Sequence, residues 1–396
     1  MIDTESHQSL FCRMSTRRQN QVMSVEPSDK QDLEKFELFQ SHVSQRFSSL
    51  LWSKHYPLNQ VGSINTLSVA ATTPVEPLLS IAWLRRLFDI FLCCEAEFKS
   101  FIVLNRASHQ IYSPPLDRLI SEYLERSVRF LDICNAVSLG LDAVQQCQRF
   151  AEIVVSSLSS SPARDGQMRR ARKALASLRL ALREDEREHG SSRFSSPEGS
   201  FGRKLRASTY VVASHLPLRS LSPVAKNWSA ASKVQAMGAN LTATRGGTEA
   251  TTIRAAVYMM SVVMVFTAWT IAAALPCQDR SGLAGCFQVP RHAEWSGGIV
   301  ALHERIGGWW KRKGRSKCGG LLEEMQRLEK LGDGLMEICE GSGDPSDVGG
   351  MVGKMGDVCR RLEEGLGPLQ LHIREIFHRV VRSREEILEL CDPHCA

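Results

Sequence analysis

Aromatic side chains are scarce in this 396-residue chain, at 7% of residues with only five tyrosines. Strands draw on β-branched and aromatic residues, so the shortage argues against a sheet-rich fold. No two of the twelve cysteines stand in a Cys-x-x-Cys pair, Cys93 and Cys94 are adjacent, and a long gap separates Cys147 from Cys277. Such irregular spacing fits no disulfide framework. The opening residues, MIDTESHQSLFCRMSTRRQN, hold no apolar run of the kind a cleavable secretory signal needs, so reduced thiols in the cytosol are expected.

A strong charge of either sign is missing too. The formal net charge is +6, and the excess is local: 12 basic residues face 6 acidic ones between Arg164 and Arg206, while the rest of the chain carries 37 of each. Catalytic signatures are equally thin. GGMVGKM around Lys354 has the outline of a phosphate loop, but the first required glycine falls at Val348, and Met355 stands where a hydroxyl must hold magnesium. A flexible connector is expected there instead. His303-Glu304 opens like a zinc-protease helix, yet Gly307 occupies the second histidine position. No Gly-x-Ser-x-Gly elbow occurs, and His42, His55 and His109 have no nucleophile at defined spacing. Cys391, His394 and Cys395 would need a fourth ligand brought to a terminal tail. The chain is therefore read as a non-enzyme with no catalytic, cofactor or metal residues.

What is present is helical periodicity. Leu33, Phe36, Phe39, Val43, Phe47 and Leu50 form one apolar stripe, and Ile81, Leu84, Phe88, Leu92, Phe98 and Phe101 form a second, more deeply apolar one. After Pro114-Pro115 a long helix runs from Leu116 towards Leu158. QMRRARKALASLRLALRE sets Leu175, Leu178, Leu180 and Leu182 beside many arginines. Towards the C-terminus a short helix over Leu302 to Trp310, another through Leu321, Met325, Leu328, Leu335 and Ile338, and a last one over Leu369 to Leu390 are expected. The expectation is an all-α bundle of seven to nine helices: a disordered leader over 1–23, then a single domain over 24–396, with a mobile loop near 185–206 and a glycine-rich insert near 341–356 separating the last two helices.

Two stretches stand out as candidate sites. Arg169, Arg170, Arg172 and Lys173 make a basic patch that suits an anionic lipid surface or an acidic partner protein; with so few aromatics nearby, nucleic acid is disfavoured. Ala255 to Leu275, AAVYMMSVVMVFTAWTIAAAL, is uncharged and long enough to cross a bilayer. Ala255, Val262, Val265, Trp269 and Leu275 mark it as a candidate span. Its flanks are basic on both sides, which gives no orientation, and its many alanines would equally let neighbouring helices close around it. Both readings, a single membrane span and the central helix of a bundle, stand at this point, with a lean towards membrane contact.

Several blocks resemble the plant BYPASS-related family, most closely its ROH branch. They are DLEKFELFQSHVSQRFSSL, LLSIAWLRRLFDIFLCCEAEFKSFI, the segment from PPLDRLISEYLERSVRFLDICNAVSLGL to AEIVVSSL, KNWSAASKVQAMGANL, the apolar run followed by PCQDR, and GPLQLHIREIFHRVVRSREEILEL. The resemblance implies a non-enzymatic adaptor of secretory trafficking that binds the seventy-kilodalton Exo subunit of the exocyst and influences polarised exocytosis, as in seed-coat mucilage or cell-wall deposition. The BYPASS branch implies an alternative, a developmental regulator restraining a root-derived mobile signal. A membrane location, single-pass or peripheral, with a cytosolic pool is also implied. The family defines no catalytic or ligand residues to carry over. Two regions depart from its pattern, the leader before Ser24 and the glycine-rich segment from Gly341 to Gly356.

Overall fold

A computed structural model describes residues 27–51, 76–104, 116–159, 165–183, 229–239, 241, 250–277, 282–291, 293–313, 320–341 and 347–390. Among the described residues there are nine α-helices and no strand: α1 (Pro27–Leu51), α2 (Ile81–Leu104), α3 (Leu116–Leu158), α4 (Asp165–Arg183), α5 (Ala230–Gly238), α6 (Ala250–Ala274), α7 (Gly297–Lys313), α8 (Glu323–Cys339) and α9 (Val348–Leu390). Two short 3₁₀ turns, Leu283–Gly285 and Glu294–Ser296, lead from α6 to α7. The all-α expectation holds. The expected leader over 1–23 and loop near 185–206 lie outside the described residues, as do His55, His109, Cys391, His394 and Cys395.

The bundle is built around α6. Helices α1, α2, α3, α5 and α7 all pack on it, and from Met259 to Leu275 every residue is buried, whichever side of the helix it occupies. Phe266 meets Phe47 of α1 edge-on at 5.7 Å and leans on Trp269 at 6.2 Å. The Trp269 indole N–H donates to the Leu283 carbonyl at 2.8 Å, so the one polar atom of that large side chain is satisfied inside the core. Thr267 and Thr270 donate their hydroxyls one turn back, to Val263 and Phe266 carbonyls, both at 2.8 Å. A helix end inside protein must still satisfy its carbonyls. Here Leu321 and Leu322 supply the N–H groups, bonding Ala273 and Ala274 carbonyls at 2.9 Å each.

Around this axis, α9 lies against α3, α2 and α8, and α4 bridges α3 and α8. Small residues set the closest approaches. A methyl on Gly140 of α3 would sit 1.8 Å from the Pro276 carbonyl oxygen, and one on Gly298 of α7 would sit 2.7 Å from the Ser48 amide nitrogen of α1. Cationic side chains close helix ends: Arg126, only 5% exposed, donates to the Met237 and Ala239 carbonyls at the end of α5, at 3.0 and 3.4 Å.

Two details differ from the sequence reading. Leu33 is exposed, whereas Phe36, Phe39, Val43, Phe47 and Leu50 of the same stripe are buried, because the packed part of α1 begins a turn later. The glycine-rich segment is helical from Val348 onward, and α9 runs 43 residues without a break to Leu390. Glycine raises the cost of a helix but does not forbid one. Val352, Met355, Val358 and Leu362 bury a regular face that offsets this cost, and the expected helix start at Leu369 lies well inside α9. Pro368 is accommodated mid-helix, where the Glu364 carbonyl forgoes its usual donor.

Candidate functional site

Groups capable of chemistry are drawn into packing rather than assembled. None of the eight described cysteines forms a disulfide; burial pushes the thiols of Cys94, Cys134 and Cys359 up to about 12 and that of Cys286 to about 11, far from a nucleophilic thiolate. His303 is pressed on Trp269 with ring centroids 4.4 Å apart, and burial holds its pKa below the ordinary imidazole value. His42 and Arg46 of α1 both bind Glu97 of α2, His42 at 3.2 Å. Burial alone would raise the Glu97 carboxyl, but Arg46 and His42 hold it below the usual carboxylate value. That trio clamps two helices. No group of three metal-ligating side chains is found among the described residues.

One buried carboxylate ties α8 to the start of α2. Glu324 of α8 accepts the Ile81 N–H, at 3.2 and 3.3 Å to its two oxygens, and so caps the first turn of α2. The neighbouring Glu323 N–H donates to the Leu79 carbonyl at 3.2 Å. Burial raises the Glu324 carboxyl to about 7 despite these donors.

The residues singled out in sequence fall into two places. Val262, Val265, Trp269 and Leu275 are buried by neighbouring helices, and Ala255 is half-buried near the start of α6. Thr252–Ala274 has the length and composition of a membrane span, and 89% of its most apolar stretch is buried inside the protein. In α4, Ala171, Ala174, Leu175, Leu178 and Leu182 turn inward, leaving Arg169, Arg170 and Lys173 on the outer face. Arg172 is committed elsewhere: its guanidinium donates to the Cys339 carbonyl at the end of α8. Arg179 pairs with Asp333 of the same helix at 3.0 Å. The basic patch is thus three outward cations and one structural cap.

A second concentration of positive charge was not legible in the sequence. Between α8 and α9 lies an open groove of about 540 Å³ with Arg327, Lys330, Lys354, Arg360 and Arg361 around it. The five cations come from two segments about thirty residues apart, each also rich in acidic residues, so no window of sequence shows them as a cluster.

Comparison with known proteins agrees along nearly the whole chain. The family model described as Protein ROH1-like matches residues 1–391. Protein ROH1A of Arabidopsis thaliana is 42% identical over 99% of this chain and 98% of its own length, and Protein ROH1D of the same plant is 35% identical over 81% and 84% respectively. No solved structure matches. A match of this extent, running through the leader, the helices and the apolar run alike, places the chain in the ROH1-like family.

Proposed function

We propose that this protein is a non-enzymatic adaptor of plant secretory trafficking that binds the seventy-kilodalton Exo subunit of the exocyst and acts on polarised exocytosis. Membership of the ROH1-like family over almost the full chain carries the reading, through the partner that the family resemblance implies. The structure supports it in kind: thiols and His303 are consumed in packing, and charged outer helix faces remain for partners. In this reading α6 is the core helix of a bundle, not a span, because moving it into lipid would strip α1, α2, α3, α5 and α7 of their common packing partner. Membrane contact is then peripheral, with the outward Arg169, Arg170 and Lys173 of α4 facing anionic lipid at the cytosolic surface and a cytosolic pool in exchange.

The test has two parts. Purified full-length protein is expected to retain the purified Exo subunit in a pull-down; failure to retain it overturns the partner. In plant cells, alkaline carbonate is expected to release the protein from the membrane pellet, and retention in the pellet would establish α6 as an integral anchor. Plants lacking the protein are expected to show defective secretion; normal secretion with shoot arrest transmitted through a graft would favour the developmental reading instead.

A further inference from the structure

The groove between α8 and α9 is unexplained by packing. Among the described residues its walls bring five cations against one lining carboxylate, Asp357, with Glu323 beside Arg327 and the buried Glu324 acting on Arg361 from behind the wall. Arg327 is paired with Glu323 and Arg360 with Asp357, but Lys330 and Lys354 are exposed and make no ion pair among the described residues. Arg361 is half-buried, and its Nε has neither solvent nor a hydrogen-bond partner. Lys330 and Lys354 are thus left facing the groove without a counter-charge, and an anion held between the two walls would neutralise them. Leu331 and Val358 give the groove an apolar component.

Shape and chemistry narrow the anion. A volume of about 540 Å³ suits a compact small molecule, within the roughly 300–1,000 Å³ usual for such sites. Among the described residues no aromatic side chain lines the groove, so it offers no platform on which bases stack. Cations on both walls favour an anion with phosphates on more than one side, since arginine forks and lysine ammonium groups match phosphate oxygens. Asp357 would repel a ligand that is phosphate all round but accepts a hydroxyl. We propose that this groove binds a cyclitol bearing several phosphates and at least one free hydroxyl, the chemistry of an inositol polyphosphate headgroup, either lipid-borne or free. Lys330 and Lys354 face its phosphates, and a ring hydroxyl donates to Asp357 beside Arg360. The lysine of the failed phosphate-loop pattern thereby acquires a phosphate role on a helix wall instead of a loop. The site is separate from the α4 face.

The experiment uses the purified full-length protein and two variants, Lys330→Glu/Lys354→Glu in the groove and Arg169→Glu/Arg170→Glu/Lys173→Glu on α4. All five positions are exposed, and circular dichroism with thermal melts checks that each variant keeps the wild-type fold. Calorimetric titration with inositol 1,4,5-trisphosphate is expected to show saturable binding that falls at least tenfold in the groove variant and less than threefold in the α4 variant. Flotation with vesicles containing phosphatidylinositol 4,5-bisphosphate, against phosphatidylserine vesicles of equal charge, separates the two sources. Preferential capture that free headgroup competes away identifies the lipid, and headgroup binding without capture identifies the soluble form. No saturable headgroup binding by the wild type overturns the proposal, as does equal loss in both variants, which would reduce the effect to bulk charge. Capture of a poly-glutamate peptide in place of the headgroup overturns it in favour of an acidic protein segment. Should the groove variant melt early, Lys330→Gln/Lys354→Gln takes its place, with the same loss expected.

Discussion

One chemical change, glycine to alanine within a helix, should have opposite consequences at Gly140 and Gly353. In isolation the exchange stabilises a helix by about 1 kcal/mol. Gly353 of α9 has nothing within 4 Å of the position a methyl would take, so Gly353→Ala should realise that gain. At Gly140 the methyl would lie 1.8 Å from the Pro276 carbonyl oxygen. Carbon and oxygen settle at about 3.3 Å, so α3 and the end of α6 must part by roughly 1.5 Å. Opposed backbones cannot rotate aside as a side chain would, and overpacking of this kind costs about 3 kcal/mol. The net loss is about 2 kcal/mol, leaving the two variants about 3 kcal/mol apart. At about 2–4 °C per kcal/mol, Gly140→Ala should lower Tm by about 4–8 °C and Gly353→Ala should raise it by about 2–4 °C. Urea titrations followed by far-UV circular dichroism provide the second readout. A neutral Gly353→Ala would refute the helical assignment of the glycine-rich segment, and a neutral Gly140→Ala would refute the close contact of α3 with the chain leaving α6.

Glu324→Gln tests the buried carboxylate. Because its folded pKa is raised to about 7 from an ordinary 4.5, the folded state holds the extra proton between those values and stability falls as pH rises through that window. Glutamine removes the cost, so the variant should be more stable than wild type at pH 8 by on the order of 3 kcal/mol, with the difference nearly gone at pH 4.5; equal melting at both values would contradict this. Trp269→Ala should cost about 3–5 kcal/mol in urea denaturation, since it empties a fully buried site and strips the Leu283 carbonyl of its donor, whereas Leu33→Ala should stay within about 0.5 kcal/mol. Arg172→Met keeps the aliphatic stem but loses the cap on α8, and should destabilise by about 1 kcal/mol where Arg170→Met changes nothing measurable.

Much of this architecture was legible because helices announce themselves locally. Phe36, Phe39, Val43, Phe47 and Leu50 recur at helical spacing, and so do the buried positions of α2, α3 and α4. The environment of α6 was not legible. A run without charge reads the same whether its surroundings are lipid or other helices, and nothing in its own residues announces the placement of α1, α2, α3, α5 and α7 around Met259 to Leu275. The start of α9 was missed for the opposite reason: local glycine content spoke against a helix that tertiary burial of Val352 and Met355 stabilises. On α4 the outward cations Arg169, Arg170 and Lys173 followed from the apolar stripe beside them, but Arg172 could not be separated from them without knowing where α8 ends. The α8/α9 groove was invisible in principle, since mixed charge along each helix resolves into one sign only after the two are laid side by side.

The enclosure of α6 also sets an order of events during synthesis. Helices α1, α2, α3 and α5 leave the ribosome before α6 does, while α7 and the Leu321–Leu322 donors that complete its C-terminal end come after. The elements that pack on α6 from its N-terminal side of the chain are therefore synthesised before its most apolar stretch, and α7 with the Leu321–Leu322 donors after it. Machinery that reads hydrophobicity one window at a time meets a segment of anchor length, in competition with the helices that pack on it in the finished fold. Slowing the early helices is therefore expected to shift that competition towards capture at a membrane, read as carbonate-resistant product when the chain is translated beside microsomes.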